Sequence, residues 1–145
     1  MWLIGRFLTL PLREQGTLLE AAFCLGGARL FLLVPFRWLA PLLGRRQTGA
    51  CDAVIPLGVG ERAAAVGVRR ALLSVARHLP WHSSCLVLAV AGRMMLWRRR
   101  LPSVLHLGAR SDPQLAAHAW LRCGEVDVVG VEASDQYTPI VAFKA

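Results

Sequence analysis

Apolar side chains recur at helical spacing along the first half of the chain. Over residues 17–33, Leu18, Leu19, Ala22 and Leu25 together with Arg29 form a partly amphipathic pattern that stops before Pro35, so a helix is predicted there. A second, short helix is predicted over 36–43. The run from Gly44 to Gly49 breaks the pattern, and with Pro56, Gly58 and Gly60 behind it the stretch 45–60 reads as loop. A third helix is predicted from Glu61 to His78, with Val66, Leu72, Leu73 and Val75 inward and Arg62, Arg69, Arg70 and Arg77 outward, ended by Leu79-Pro80. Ser83 and Ser84 then precede the apolar run CLVLAVAGRMMLW, a serine N-cap that puts Cys85 in the first turn of a fourth helix. Arg98, Arg99 and Arg100 close that helix, where cations suit its carbonyl end. Beyond Pro102 the period changes: SVLHLGA, AAHAWLRC and VDVVGVE are short, alternating or β-branched, and RSDPQ and Gly124-Glu125 separate them. Three antiparallel strands are predicted. Helices first and strands afterward make the fold class α+β, N-terminal helices followed by a small antiparallel sheet.

Length and composition add constraints. The 145 residues fit one domain, 1–145, with an apolar helical part over 1–60 and a core over 61–145. The apolar fraction is 55%, above the roughly 45–50% of soluble chains, and much of the excess lies before residue 45. That segment carries Glu20, Arg29, Arg37, the Gly26-Gly27 pair, Pro35 and Pro41, so two packed helices are expected rather than one bilayer span. The start MWLIGRF lacks the basic and small-residue features of a signal peptide, and the expected location is the cytoplasm, with peripheral membrane contact of the apolar helices left open.

Charge and cysteines narrow the chemistry. Seventeen Lys and Arg against nine Asp and Glu give a formal charge of +8, nearly all of it arginine, since Lys144 is the one lysine. Such a surface favours an acidic peptide, a nucleic acid or an anionic membrane face. A nucleic acid is not expected as partner, because the basic segments lack interleaved aromatics. Cys24, Cys51, Cys85 and Cys123 are widely spaced with no CxxC pair, so free thiols are expected, with no zinc site and no cofactor.

Cys85 and His118 are the candidate nucleophile and general base. Unpaired N–H groups and the dipole at a helix N-terminus acidify a thiol, and His118 lies on a strand 33 residues later. A papain-type site has the same order, a cysteine opening a helix against a histidine on a following strand. Alone, each residue is more often inert packing. Their order, with acidic residues on the next strand, points to acyl chemistry.

The segment LPWHSSCL, then a helix, LPSVLHLGAR and AHAW resembles the transglutaminase-like leader peptidases of lasso-peptide biosynthesis over about residues 60–140. The matching motifs are Cys85-Leu86 opening the helix, Leu107-Gly108-Ala109-Arg110, and Ala117-His118-Ala119-Trp120 with the histidine. The resemblance implies a transglutaminase-like, papain-like core with Cys85 and His118 catalytic, acting as a cysteine peptidase that frees a lasso-peptide precursor from its leader. It also implies three partners: the precursor, a leader-recognition protein and an ATP-dependent cyclase that closes the lactam on the new N-terminus. A stand-alone form is expected, since no strand-rich segment before residue 60 has the size of a winged-helix recognition module. Two alternatives stand beside it: acyl transfer to an amine on the same site, and a non-catalytic basic binding module.

The acidic member stays open. That family has an aspartate on the strand after the histidine. A three-residue turn at Cys123-Gly124-Glu125 sets residue 130 opposite His118 and Glu132 diagonal to it. A two-residue turn at Gly124-Glu125 sets residue 131 opposite, with Asp127 on the histidine's face about four residues along, near Arg122. Reach favours Glu132 and residue type favours Asp127; a backbone carbonyl or Asp135 is the weaker alternative. Trp120 would share the face of His118, as shield or as core. The Cys85 N–H, with His82 or Ser83, would hold the oxyanion. His78 and His106 read as surface or filler. The arginines at 45, 46, 69, 70 and 98–100 read either as solvated faces or as attractors of an acidic partner.

Overall fold

A computed structural model of the chain describes residues 5, 7–49 and 54–145. Helix α1 spans Leu12–Phe31, α2 Phe36–Leu39 followed by a 3-10 turn Ala40–Leu43, α3 Val59–Ala76 and α4 Cys85–Arg98. The strands are β1 Arg45–Thr48, β2 Val104–Arg110, β3 Ala116–Cys123, β4 Val126–Val129 and β5 Thr138–Lys144, with a 3-10 helix Val131–Gln136 before β5. They form one antiparallel sheet in the order β1-β5-β2-β3-β4. The α+β class expected from the periodicity is the class observed.

Each helix is readable in its residues. In α1 the stripe Ala21, Cys24, Leu25 and Ala28 is buried at i, i+3, i+4, i+7 spacing. In α3 the Glu61 carboxylate accepts the Gly58 N–H at 2.9 Å, which caps the helix start. Its buried stripe is Ala65, Val68, Ala71 and Leu72. Of the inward set expected for this helix only Leu72 is fully buried; Val66, Leu73 and Val75 are half-buried, because the small alanines allow the closer approach. Helix α4 is buried around most of its circumference and is therefore not amphipathic; α1 and α3 pack on it from one side, β3 and β4 from the other.

The strand pattern needs three corrections. The stretch 45–60 is not all loop: Arg45–Thr48 is a fully exposed edge strand on β5, and its polar side chains gave no hydropathy signal. The segment VDVVGVE is a strand only to Val129, after which Gly130 in the left-handed region (φ 77°) turns the chain into the 3-10 helix that carries Glu132. The C-terminal strand β5 is additional to the three strands predicted, and it carries Pro139, a residue disfavoured in a central strand. It is tolerated because the register shifts there: Leu107 pairs with Val141 but Gly108 with Pro139, leaving Ile140 as the extra residue of a bulge.

The apolar excess is partly unburied. Leu12, Leu19, Phe23 and Leu30 form an exposed stripe along α1, continued by Leu33, Trp38 and Leu42. No helix among the described residues is long and apolar enough to cross a membrane.

Candidate active site

Cys85 is the first residue of α4, and the Ser84 side-chain oxygen accepts the Val87 N–H at 3.3 Å, as the serine pattern anticipated. The thiol is half-buried, whereas those of Cys24 and Cys123 are buried. Burial pushes the Cys123 thiol up to about 11, with Glu61 and Glu125 adding to it, and raises that of Cys24, with Glu20 adding. Both are therefore poor nucleophiles at neutral pH. Cys51 lies outside the described residues.

His118 sits in the middle of β3, opposite Gly108 of β2. Its Nε2 lies 2.6 Å from the Gly130 carbonyl oxygen. A carbonyl only accepts, so Nε2 carries the hydrogen and the neutral ring keeps its basic lone pair on Nδ1. The turn to Gly130 makes this contact. β3 and β4 are joined by the two-residue turn, Cys123 pairing with Val126, and the register then shifts between Leu121 and Arg122 so that Leu121 pairs with Val129. Gly130 lies so close under β3 that a Cβ on it would come 2.5 Å from the Ala119 carbonyl oxygen. Its combination of positive φ and close backbone approach requires glycine.

The imidazole lies in a row of rings. Tyr137 stacks on it at 4.9 Å, Trp120 at 6.0 Å, and His106 stacks on Trp120 at 5.3 Å. Trp120 and His106 are both buried, so His106 is an interior residue rather than a surface one, and Trp120 stacks against both imidazoles on the face that alternates with the helix-facing core. Gly108 makes room for the indole: a Cβ there would meet two Trp120 ring carbons and the Thr138 carbonyl oxygen at 2.9 Å. His78 is exposed and its Nδ1 lies 2.7 Å from the Ser74 carbonyl oxygen; His82 is exposed. The Ser83 hydroxyl and the Trp81 indole N–H, in the segment entering α4, are buried without a hydrogen-bond partner.

The acidic candidates are held by arginines. Asp127 accepts from Arg122 Nε at 2.9 Å, and Arg122 is four residues along β3 from His118, about 13 Å at 3.3 Å per residue. Glu132 accepts from Arg69 Nη2 at 3.0 Å, while Arg69 Nη1 donates to the Asp127 carbonyl at 2.5 Å. The backbone N–H of Glu132 holds its carboxylate below the ordinary range, burial opposes this, and Arg69 and the nearby His118 also lower it. Asp135 has no hydrogen bond to the imidazole, so the group that contacts the ring nitrogen is the backbone carbonyl.

Cys85 and His118 border one cleft of about 340 Å³, with Phe36, Leu107, Ile140 and Val141 among its walls. No hydrogen bond joins thiol and imidazole; what relates them is that both line this cleft. The cleft runs over strand residues of both parities, Leu107 to Ala109 and Ala117 to Ala119. Ala119, Leu121 and Cys123 enter the helix-facing core, while His118 and Trp120 alternate with them. No group of three His, Cys, Asp or Glu able to hold a metal occurs among the described residues.

Comparison with curated proteins and with solved structures returned no significant match. The sequence profile of the Transglutaminase-like superfamily matches residues 30–142, which takes in α2, α3, α4, strands β1 to β4 and most of β5. Members of that superfamily are often cysteine peptidases or acyltransferases, chemistry that needs a nucleophilic thiol and a base. With a helix-opening cysteine and a strand histidine bordering one cleft inside the matched region, the chain belongs to the transglutaminase-like superfamily.

Proposed function

We propose that this protein is a cysteine peptidase that removes the leader from a ribosomally made lasso-peptide precursor, in the cytoplasm and before a separate ATP-dependent cyclase closes the lactam. The observation that carries the reading is the pairing, around one cleft, of Cys85 on a capped helix start with His118, whose Nε2–H is held by Gly130. The motifs Cys85-Leu86, Leu107 to Arg110 and Ala117 to Trp120 support the finer assignment.

His118 Nδ1 takes the Cys85 thiol proton as the sulfur attacks the scissile carbonyl carbon. The first-turn N–H groups of α4 stabilise the oxyanion. Collapse breaks the C–N bond, and the imidazolium returns its proton to the leaving amine. Water, deprotonated by His118, then attacks the thioester carbonyl and releases the carboxylate and the thiol. Gly130 orients the base, and Glu132, held by Arg69, supplies negative potential to the imidazolium; Asp127 is the alternative acid of the same reading. The exposed apolar stripe of α1 is the face offered to a leader-recognition protein that delivers the precursor.

Precursor, recognition partner and this protein are incubated together and the products read by mass spectrometry. Cys85→Ala and His118→Ala should abolish leader removal, Glu132→Gln should slow it, and Asp127→Asn should leave it near wild type. Full cleavage by Cys85→Ala would return the chain to a non-catalytic basic module. The superfamily's acyltransferases favour one further reading, in which an amine replaces water at the thioester; an adduct formed with added amine would shift the assignment there.

A further inference from the structure

The charge of the molecule and the character of its cleft disagree. The chain carries a net charge of +8, yet among the described residues no Arg, Lys, Asp or Glu lines the cleft that holds Cys85 and His118. Its walls include Phe36, Leu86, Leu107, Ile140 and Val141, and the cross-strand pair Ala109 and Ala117 also lines it. Phe36 is braced edge-on against the buried Phe143, with ring centres 6.3 Å apart. The bulge in β5 supplies Ile140 as an extra residue to this wall. About 340 Å³ is at the small end of the range for ligand clefts, roughly 300–1,000 Å³, and suits one large side chain with its backbone.

We infer that this cleft is a specificity subsite for a large apolar side chain on the acyl side of the bond attacked by Cys85. The inference rests on the proposed nucleophile. The acyl portion becomes tethered to Cys85 Sγ, so its side chains are the ones held within reach of these walls. Seating a leucine- or phenylalanine-sized group there removes apolar surface from water on both sides, whereas a charged group would lose its hydration with no partner to replace it. Glycine leaves the cleft unfilled. The arginine surface thus attracts the substrate as a whole, and the cleft selects the residue beside the reactive carbonyl.

Short N-capped peptidyl chloromethyl ketones ending in Leu, Phe, Gly, Asp or Lys are offered to the protein, and alkylation is followed by intact mass. Iodoacetamide serves as the side-chain-neutral reference, and Cys85→Ala corrects for the other thiols. The Leu and Phe reagents should label Cys85 roughly 10- to 100-fold faster than the Gly, Asp and Lys reagents, relative to iodoacetamide. Ala109→Phe and Ala117→Phe narrow the cleft and should remove the preference for Phe first, with each rate read relative to iodoacetamide on the same variant. Ala117 is exposed, so its variant keeps the fold. Equal rates for all five reagents, a preference for Asp or Lys, or an unaltered preference in both folded variants would overturn the subsite and leave the nucleophile standing. A Cys85 unreactive even toward iodoacetamide overturns both.

Discussion

Gly130 decides more of the site than any acidic side chain does. Its carbonyl oxygen is the group 2.6 Å from His118 Nε2, and its position depends on a φ of 77° and on the absence of a Cβ. Arg69 holds the chain on either side of it, at the Asp127 carbonyl and the Glu132 carboxylate, so the carbonyl is fixed from outside the site. Gly130→Ala should therefore destabilise the fold by about 1–3 kcal/mol, through backbone strain and the clash with Ala119 O. It should also lower turnover by on the order of tenfold or more, since small displacements of a catalytic group cost up to about 10²-fold. Denaturant unfolding checks the first effect and the cleavage assay the second. Unchanged turnover in a destabilised protein would remove Gly130 from the positioning role.

At the level of elements, α4 is both the centre of the core and the platform of the nucleophile. A single hydroxyl organises its first turn, the Ser84 oxygen that accepts from Val87 N–H. Loss of such a cap costs about 1 kcal/mol and frays the turn on which Cys85 sits. Ser84→Ala should lower the thermal midpoint by a few degrees, roughly 2–8 °C for a cost of that size, and should slow alkylation of Cys85 by iodoacetamide. Ser84→Asp, which caps equally well and places a charge at the positive end of the dipole, should restore the midpoint. Equal alkylation rates across the three proteins would mean that the cap serves stability only. The sheet contributes through β5, whose bulge shapes the cleft wall and whose central position joins β1 to β2.

For the molecule as a whole, the arginines are structural as well as electrostatic. Arg62 pairs with Glu125 and Arg69 with Glu132, so two cations of α3 fasten the helical layer to the β3–β4 hairpin and to the 3-10 helix after it. Arg98 and Arg99 pair with Glu20 and tie α4 to α1. Arg93 is buried and donates to the Phe143 carbonyl at 2.7 Å; burial lowers its guanidinium to about 10. The carboxylates of Glu125 and Glu132 are both held below the ordinary range, each chiefly by its own backbone N–H and also by its arginine. A lowered folded value means that the stability they contribute is present above the unfolded carboxylate value, about 4.3, and is lost as pH falls through their lower folded values. Thermal midpoints followed from pH 7 to pH 3 should fall below about pH 4.5 for the wild type. Glu132→Gln should start slightly lower at pH 7, by less than about 1 kcal/mol for so exposed a pair, and should fall less steeply on acidification. Parallel curves would show that this pair carries none of the acid sensitivity.

Local signals determined the order of helices and strands, the serine cap before Cys85, and the placement of His118 inside a strand. These are properties of short segments, in which side-chain period and cap chemistry act within a few residues. The partners of those segments were decided only in three dimensions. Polar β1 and proline-bearing β5 become strands because their backbones find neighbours in the sheet, and hydropathy carries no record of that. The partner of the His118 ring depended on a register shift between β3 and β4 and on where Gly130 ends the strand. The chain placed Asp127 near Arg122, which does engage it, but gave no sign that Arg69 of α3 would hold Glu132 or that a main-chain carbonyl, which no residue type announces, would take the imidazole N–H.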